Sequence, residues 1–115
     1  MQLTFLKSKI HRAVVTKADL NYEGSISIDE DLMDAANFLP GEQVDVLDIN
    51  NGERFTTYVI PAKKGSGAIQ INGAAARKTY AGDLVIICSY CVLDEKEAKT
   101  FKPTVVTVDN SNKLI

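Results

Sequence analysis

A chain of 115 residues is long enough for one domain with a real core and too short for two. Its 45% hydrophobic and 24% charged residues describe a folded globular chain rather than a disordered one. The net charge of −2, few aromatics and no basic stripe exclude a nucleic-acid binder, and the longest apolar run, Leu84 to Cys88, is far below the ~20 residues of a membrane span. No signal-peptide pattern opens the chain, since Lys7 and Lys9 closely follow Met1 to Leu6, so a cytoplasmic protein is expected.

Phe5 to Thr16 is rich in β-branched and apolar residues and reads as a long strand with Lys9 and His11 on one face. Ser25 to Ile28 is a second strand, after which Asp29 caps a short helix, Glu30 to Phe38, stopped by Pro40-Gly41. Strands at Gln43–Ile49 and Arg54–Ile60 are joined through Asn51-Gly52, a dipeptide that tolerates positive φ and signals a hairpin. Ala68 to Ile71 is a short strand, and Asn72-Gly73-Ala74-Ala75-Ala76 reads as a cap leading into a helical turn. Leu84 to Leu93 is a buried strand, Asp94 to Thr100 a charged helix and Thr104 to Val108 the last strand. Asp109 to Ile115 is expected to fray. The pattern is mainly β, a small barrel with two or three short helices.

Cys88 and Cys91 form a C-x-x-C that elsewhere would suggest zinc or thiol redox chemistry. Positions three apart on a strand point to opposite faces, no second cysteine pair exists, and His11 is the only histidine. Two core thiols in a reducing compartment, with no metal, is the expected reading.

Gly24-Ser25 alone is an ordinary turn dipeptide. Its surroundings give it meaning. The run from Lys9 through Tyr22-Glu23-Gly24-Ser25 to Asp29 closely resembles the N-terminal signature of bacterial aspartate 1-decarboxylases. So do Asn51-Gly52-Glu53-Arg54-Phe55-Thr56-Thr57-Tyr58, Ile71-Asn72-Gly73-Ala74-Ala75-Ala76 and Gly82 to Ile87, in that order and spacing. The resemblance implies a double-psi β-barrel of a single domain, 1–115, that cleaves itself into a β chain, Met1 to Gly24, and an α chain, residues 25–115. It also implies a pyruvoyl cofactor made from Ser25, a homotetramer of cleaved protomers, and L-aspartate as the substrate converted to β-alanine for pantothenate and coenzyme A synthesis. Whether cleavage is spontaneous or needs a maturation factor stays open.

Within that resemblance each residue has a role and a plainer alternative. Ser25 supplies the hydroxyl that attacks the Gly24 carbonyl, and Gly24 leaves that carbonyl open; otherwise Ser25 is a strand-start serine. Thr57 and Asn72 assist as hydrogen-bond donors to the developing oxyanion. The pyruvoyl ketone condenses with the substrate amine and accepts the electrons left by the departing carboxylate. Tyr58 is the proton donor, because a phenol stays protonated at neutral pH, or else a half-buried strand tyrosine. Arg54 grips the β-carboxylate, since pairing the α-carboxylate would stabilise the charge the reaction must lose; its alternative is a solvated arginine beside a turn. Gly73, Ala74 and Ala75 contact substrate through backbone N–H groups or simply start a helix. Lys9 and His11 line the same pocket or lie on a solvent-facing edge. Ile26 and Leu47 depart from some relatives and bear on cleavage rate and pocket shape.

A regular strand keeps Arg54 and Tyr58 on one face about 13 Å apart, with Thr57 pointing away. Either the strand bulges or residues serve a neighbouring subunit, and the second is expected for Arg54, Lys9 and His11. The rival readings are a pyruvoyl decarboxylase for another amino acid and a small β-barrel binding module that never cleaves.

Overall fold

In the computed structural model, which describes residues 1–115, the β-branched segments form eight strands: β1 Gln2–Val14, β2 Lys17–Asp19, β3 Ser25–Asp29, β4 Gln43–Asp48, β5 Arg54–Ala62, β6 Ile69–Asn72, β7 Leu84–Asp94 and β8 Thr104–Thr107. Two helices, α1 (Glu30–Ala36) and α2 (Glu95–Ala98), and a 3-10 turn at Gly73–Arg77 complete the chain. The strand order is β2-β6-β3-β5-β4-β7-β1-β8. Parallel pairings of β1 with β8, β2 with β6 and β3 with β5 are interleaved with antiparallel ones, a mixed ladder that a simple meander cannot make. Thr16 donates its N–H to Ile69 O and Val15 to Asp83 O, which ties the β1–β2 junction across the barrel.

Alternation along the strands sorts the two faces. Ile26 and Ile28, Val44 and Val46, Ile69 and Ile71, and Val85 and Ile87 are buried in one core. Leu32, Met33 and Ala36 on one side of α1 pack onto that core. Asp29 caps α1 by accepting from Asp31 N at 2.8 Å. The helix ends at Ala36, because Asn37 takes a left-handed conformation (φ 61°), so it stops before Pro40-Gly41.

Three local expectations change. The β4–β5 connection is five residues, 49–53, because β4 ends at Asp48 rather than Ile49, and Gly52 at φ 77° donates its N–H to Asp48 O. The strand β1 carries two register shifts against β7, and Arg12 sits in the second with φ 62°. Regular alternation is therefore broken at His11: Lys9 opposes Cys88 on β7, whereas His11 pairs only with Thr107 of β8. Finally, the tail does not fray. Asn112, 1% exposed, donates to Val14 O and Gly67 O and accepts from Val14 N, all at 2.8 Å. One amide thus satisfies three backbone groups of two distant segments, and no hydrophobic pattern announces it.

Candidate active site

The segment Leu20 to Gly24 is an exposed connection, and the chain becomes buried at Ser25, where β3 begins. Antiparallel pairing sets Ser25 opposite Asn72, the last residue of β6, and Ser27 opposite Gln70. Ser25 and Ser27, two apart on one strand, face the same side. The Asn72 amide donates to both hydroxyls at 3.0 Å, and Gln70 Nε2 in turn donates to Asn72 Oδ1 at 2.7 Å. Ser25 Oγ donates to the Glu23 carbonyl at 3.0 Å. The nucleophile candidate is 1% exposed, held from both sides, and adjoins the exposed residue Gly24. Both Asn72 N–H groups are spent on hydroxyls, so in the uncleaved chain this amide holds the serine, and it would have to turn to reach an oxyanion.

Gly73 rather than Gly24 carries the backbone constraint. Its φ is 76°, and a Cβ there would lie 2.7 Å from Gly24 Cα and 3.1 Å from Tyr22 O. A Cβ on Gly24 would meet nothing within 4 Å. The missing side chain at Gly73 lets the 3-10 turn approach the Gly24-Ser25 bond closely. Behind Gly73, Ala74 is exposed and Ala75 half-buried.

The parallel ladder between β3 and β5 starts at Ile26 opposite Val59. One rung further would set Tyr58 beside Ser25, and two rungs further Thr57 beside Gly24. Thr57 opposes the buried Val44 and points inward; Tyr58 opposes Gln43, faces outward and is 41% exposed. No hydrogen bond joins Thr57 to Ser25.

Arg54 opens β5, opposite Leu47 and four residues before Tyr58. A depression of about 260 Å³ is lined by Asp45, Leu47, Arg54, Phe55 and Thr56. Strand pairing aligns Lys9, Cys88, Asp45 and Thr56 across β1, β7, β4 and β5, so Lys9 shares this face. Burial pushes the Cys88 thiol up, although the Tyr90 hydroxyl, Lys9 and Arg54 oppose it. Burial likewise raises the Tyr90 phenol, with Cys88 and Asp45 adding to it. Cys91 is half-buried three residues along β7, and both thiols are free. The His11 side chain is half-buried with Nδ1 unpartnered. The fold therefore gathers Ser25, Asn72, Gly73 and the middle of β5 at one place, with Arg54 four residues away at the start of β5 and Lys9 in a row that crosses β5 at Thr56. Sequence reasoning missed Ser27 and Gln70; the i, i+2 spacing of the serines was the available signal.

The barrel is similar to a rationally designed double-psi β-barrel protein, with a TM-score of 0.51 and 15% identity over 67% of this chain and 90% of that one. The fold is a double-psi β-barrel. The aspartate decarboxylase family model matches residues 1–115. The chain is 66% identical to the aspartate 1-decarboxylase of Syntrophus aciditrophicus, over 99% of this chain and 98% of that protein. It is 60% identical to that of Acetivibrio thermocellus, over 100% of this chain and 91% of that protein. Identity to the Phocaeicola vulgatus enzyme is also 60%, over the full length of both. The chain belongs to the aspartate decarboxylase family.

Proposed function

We propose that this chain is a proenzyme that cleaves itself between Gly24 and Ser25 and then decarboxylates L-aspartate at the α-carboxylate, giving β-alanine and CO2. The observation that carries the reading is the buried Ser25 hydroxyl, held by the Asn72 amide next to an exposed Gly24 against which only a glycine at 73 can pack. Attack of Ser25 Oγ on the Gly24 carbonyl moves the acyl group from nitrogen to oxygen. Loss of the Ser25 Cα proton then breaks the Cβ–O bond and releases residues 1–24 as a carboxylate. The dehydroalanine left at position 25 takes up water and loses ammonia, so residues 25–115 begin with a pyruvoyl group. Ser25, Asn72 and Gly73 fit the making of that group, because the hydroxyl is oriented and the neighbouring backbone leaves room.

Once formed, the ketone supplies an electron sink for an amine-bearing substrate. Tyr58, one rung beyond the β3–β5 ladder from Ser25, donates the proton that replaces the carboxylate. Backbone N–H groups of Gly73, Ala74 and Ala75, together with Thr57, contact the substrate. Arg54 binds the β-carboxylate, with Lys9 and His11 in the same pocket. Four residues of strand separate Arg54 from Tyr58, about 13 Å. Arg54, Lys9 and His11 therefore act in the site of a neighbouring subunit, in a homotetramer. The enzyme is placed in the cytoplasm; no helix is long and apolar enough to cross a membrane.

Intact-mass analysis with a denaturing gel tests the reading. Two fragments meeting at residues 24 and 25, the larger with a blocked N-terminus, are expected, and Ser25→Ala should abolish both cleavage and β-alanine formation. A chain that stays intact under all conditions, with or without added cell extract, would identify a barrel that binds and never cleaves.

A further inference from the structure

Asp48 ends β4 with a side chain 2% exposed. Its Oδ1 accepts the N–H groups of Asn50 at 2.9 Å and Asn51 at 3.3 Å. Its Oδ2 is buried and receives no N–H or O–H. The group against it is another carboxyl, that of Asp83, which accepts from Tyr80 N through its own Oδ2 at 3.1 Å. Two carboxylates do not rest in contact inside a protein unless a proton lies between them. Burial and then Asp83 push the Asp48 carboxyl up to about 6, against the pull of the Asn50 and Asn51 N–H groups.

The two aspartates belong to segments that meet at one end of the barrel. Asn51 Nδ2 donates to Lys78 O, Leu84 N to Asn50 Oδ1 and Ile49 N to Leu84 O, each at 2.8 Å. The charged groups on these segments are Glu53 and Lys78, which pair with each other at 2.8 Å, and the exposed Arg54 and Arg77; Tyr80 offers Asp83 only its backbone. No cation is among the principal groups that shift Asp48. Arg54 follows this turn directly, and Lys78 directly follows the Gly73–Arg77 turn.

We propose that Asp48 carries a proton and donates it to the Asp83 carboxylate, and that this bond clamps the 49–53 turn to the 78–84 connection and positions Arg54 for a substrate carboxylate. The Arg54 part rests on the function proposed above. The sign follows from the raised ionisation of Asp48. The folded chain holds the proton more tightly than the unfolded one, so the stabilisation is complete below the ordinary aspartate value, about 3.9. It is lost as pH rises through about 6. Asp48→Asn keeps an oxygen for the Asn50 and Asn51 N–H groups and offers Asp83 a permanent N–H, so this variant is clamped at every pH.

The test uses the full chain as purified, with carboxyl 13C NMR of labelled aspartates, thermal melting and steady-state kinetics from about pH 5 to about pH 8. One aspartate should titrate well above the others and be missing in Asp48→Asn. The KM for aspartate should rise severalfold with pH in the wild type, kcat changing less, and stay flat in Asp48→Asn, whose melting temperature should exceed the wild type's only at the upper end. Absence of the raised titration, or a KM profile unchanged by Asp48→Asn, overturns the clamp. So does a change in the paired signals with magnesium or calcium chloride alone, which would mean that the carboxyls hold a cation. Arg54→Ala separates the two ideas. If it leaves KM unchanged, the role given to Arg54 has failed whatever the NMR shows; if it raises KM while no aspartate titrates high, the clamp alone has failed.

Discussion

Of the residues proposed for cleavage, Asn72 is the most tightly held. Its two N–H groups are divided between Ser25 and Ser27, and its oxygen is taken by Gln70, so the amide has no freedom to rotate without breaking three hydrogen bonds. Asn72→Ala would leave two hydroxyls and the Gln70 amide short of partners, about 1–3 kcal/mol for each buried group that finds no substitute. It would also release the Ser25 hydroxyl from its aim. We expect Asn72→Ala to accumulate as intact chain, with the cleaved fraction on a denaturing gel rising far more slowly than in the wild type. Cleavage at the wild-type rate would remove Asn72 from the process. The family blocks single out Ser25, Asn72 and Gly73 as candidates. Their arrangement was not legible, because the amide network depends on the register that sets Ser25 against Asn72. The need for glycine at 73 arises from the approach of a segment almost fifty residues away in sequence.

Among the elements, α1 is anchored by a carboxylate that does more than cap it. Asp29 Oδ1 accepts from Asp31 N and Gly65 N, and Oδ2 from Gly67 N at 2.8 Å, so one side chain joins the helix start to the 65–67 turn. Burial alone would raise this carboxyl, but the three N–H groups, helped by Lys113, outweigh it and hold it below the ordinary range. A lowered carboxyl stabilises the fold above its unfolded value, about 3.9, and that contribution disappears as pH falls through the folded one. Asp29→Asn turns one acceptor into a donor facing the Gly67 N–H. The expected result is a loss of about 1–3 kcal/mol in urea unfolding at neutral pH and a shallower fall of melting temperature with acid. An acid limb identical to the wild type's would assign that limb to other carboxylates. The cap was readable from Asp29 before an apolar helical face, whereas the bonds to Gly65 and Gly67 were not, because they are tertiary. The same holds for the tail, where the polar residue Asn112 does the anchoring and composition suggested only fraying.

At the scale of the whole molecule, the barrel separates what the proposed chemistry must unite. Strand alternation predicted that Arg54 and Tyr58 share a face of β5 four residues apart, and the pairing of β5 with β4 agrees, with Tyr58 opposite Gln43 and Arg54 opposite Leu47. No bulge in that ladder shortens the distance. Ser25 and Asn72 therefore lie beside the middle of β5, whereas Arg54 opens that strand and the row containing Lys9 crosses it at Thr56 on the outward face. If complete sites form only between subunits, a protomer lacking Ser25 and a protomer lacking Arg54 can rescue each other. Ser25→Ala and Arg54→Ala should each be nearly inactive alone. Co-expressed and assembled at random, about one site in four would draw an intact Ser25 from one subunit and an intact Arg54 from its neighbour. Purified mixed tetramers should then regain roughly that fraction of wild-type β-alanine formation. Sites complete within one chain forbid any such recovery, since every mutant protomer would carry one defect into its own site, and mixed tetramers would be as inactive as either parent.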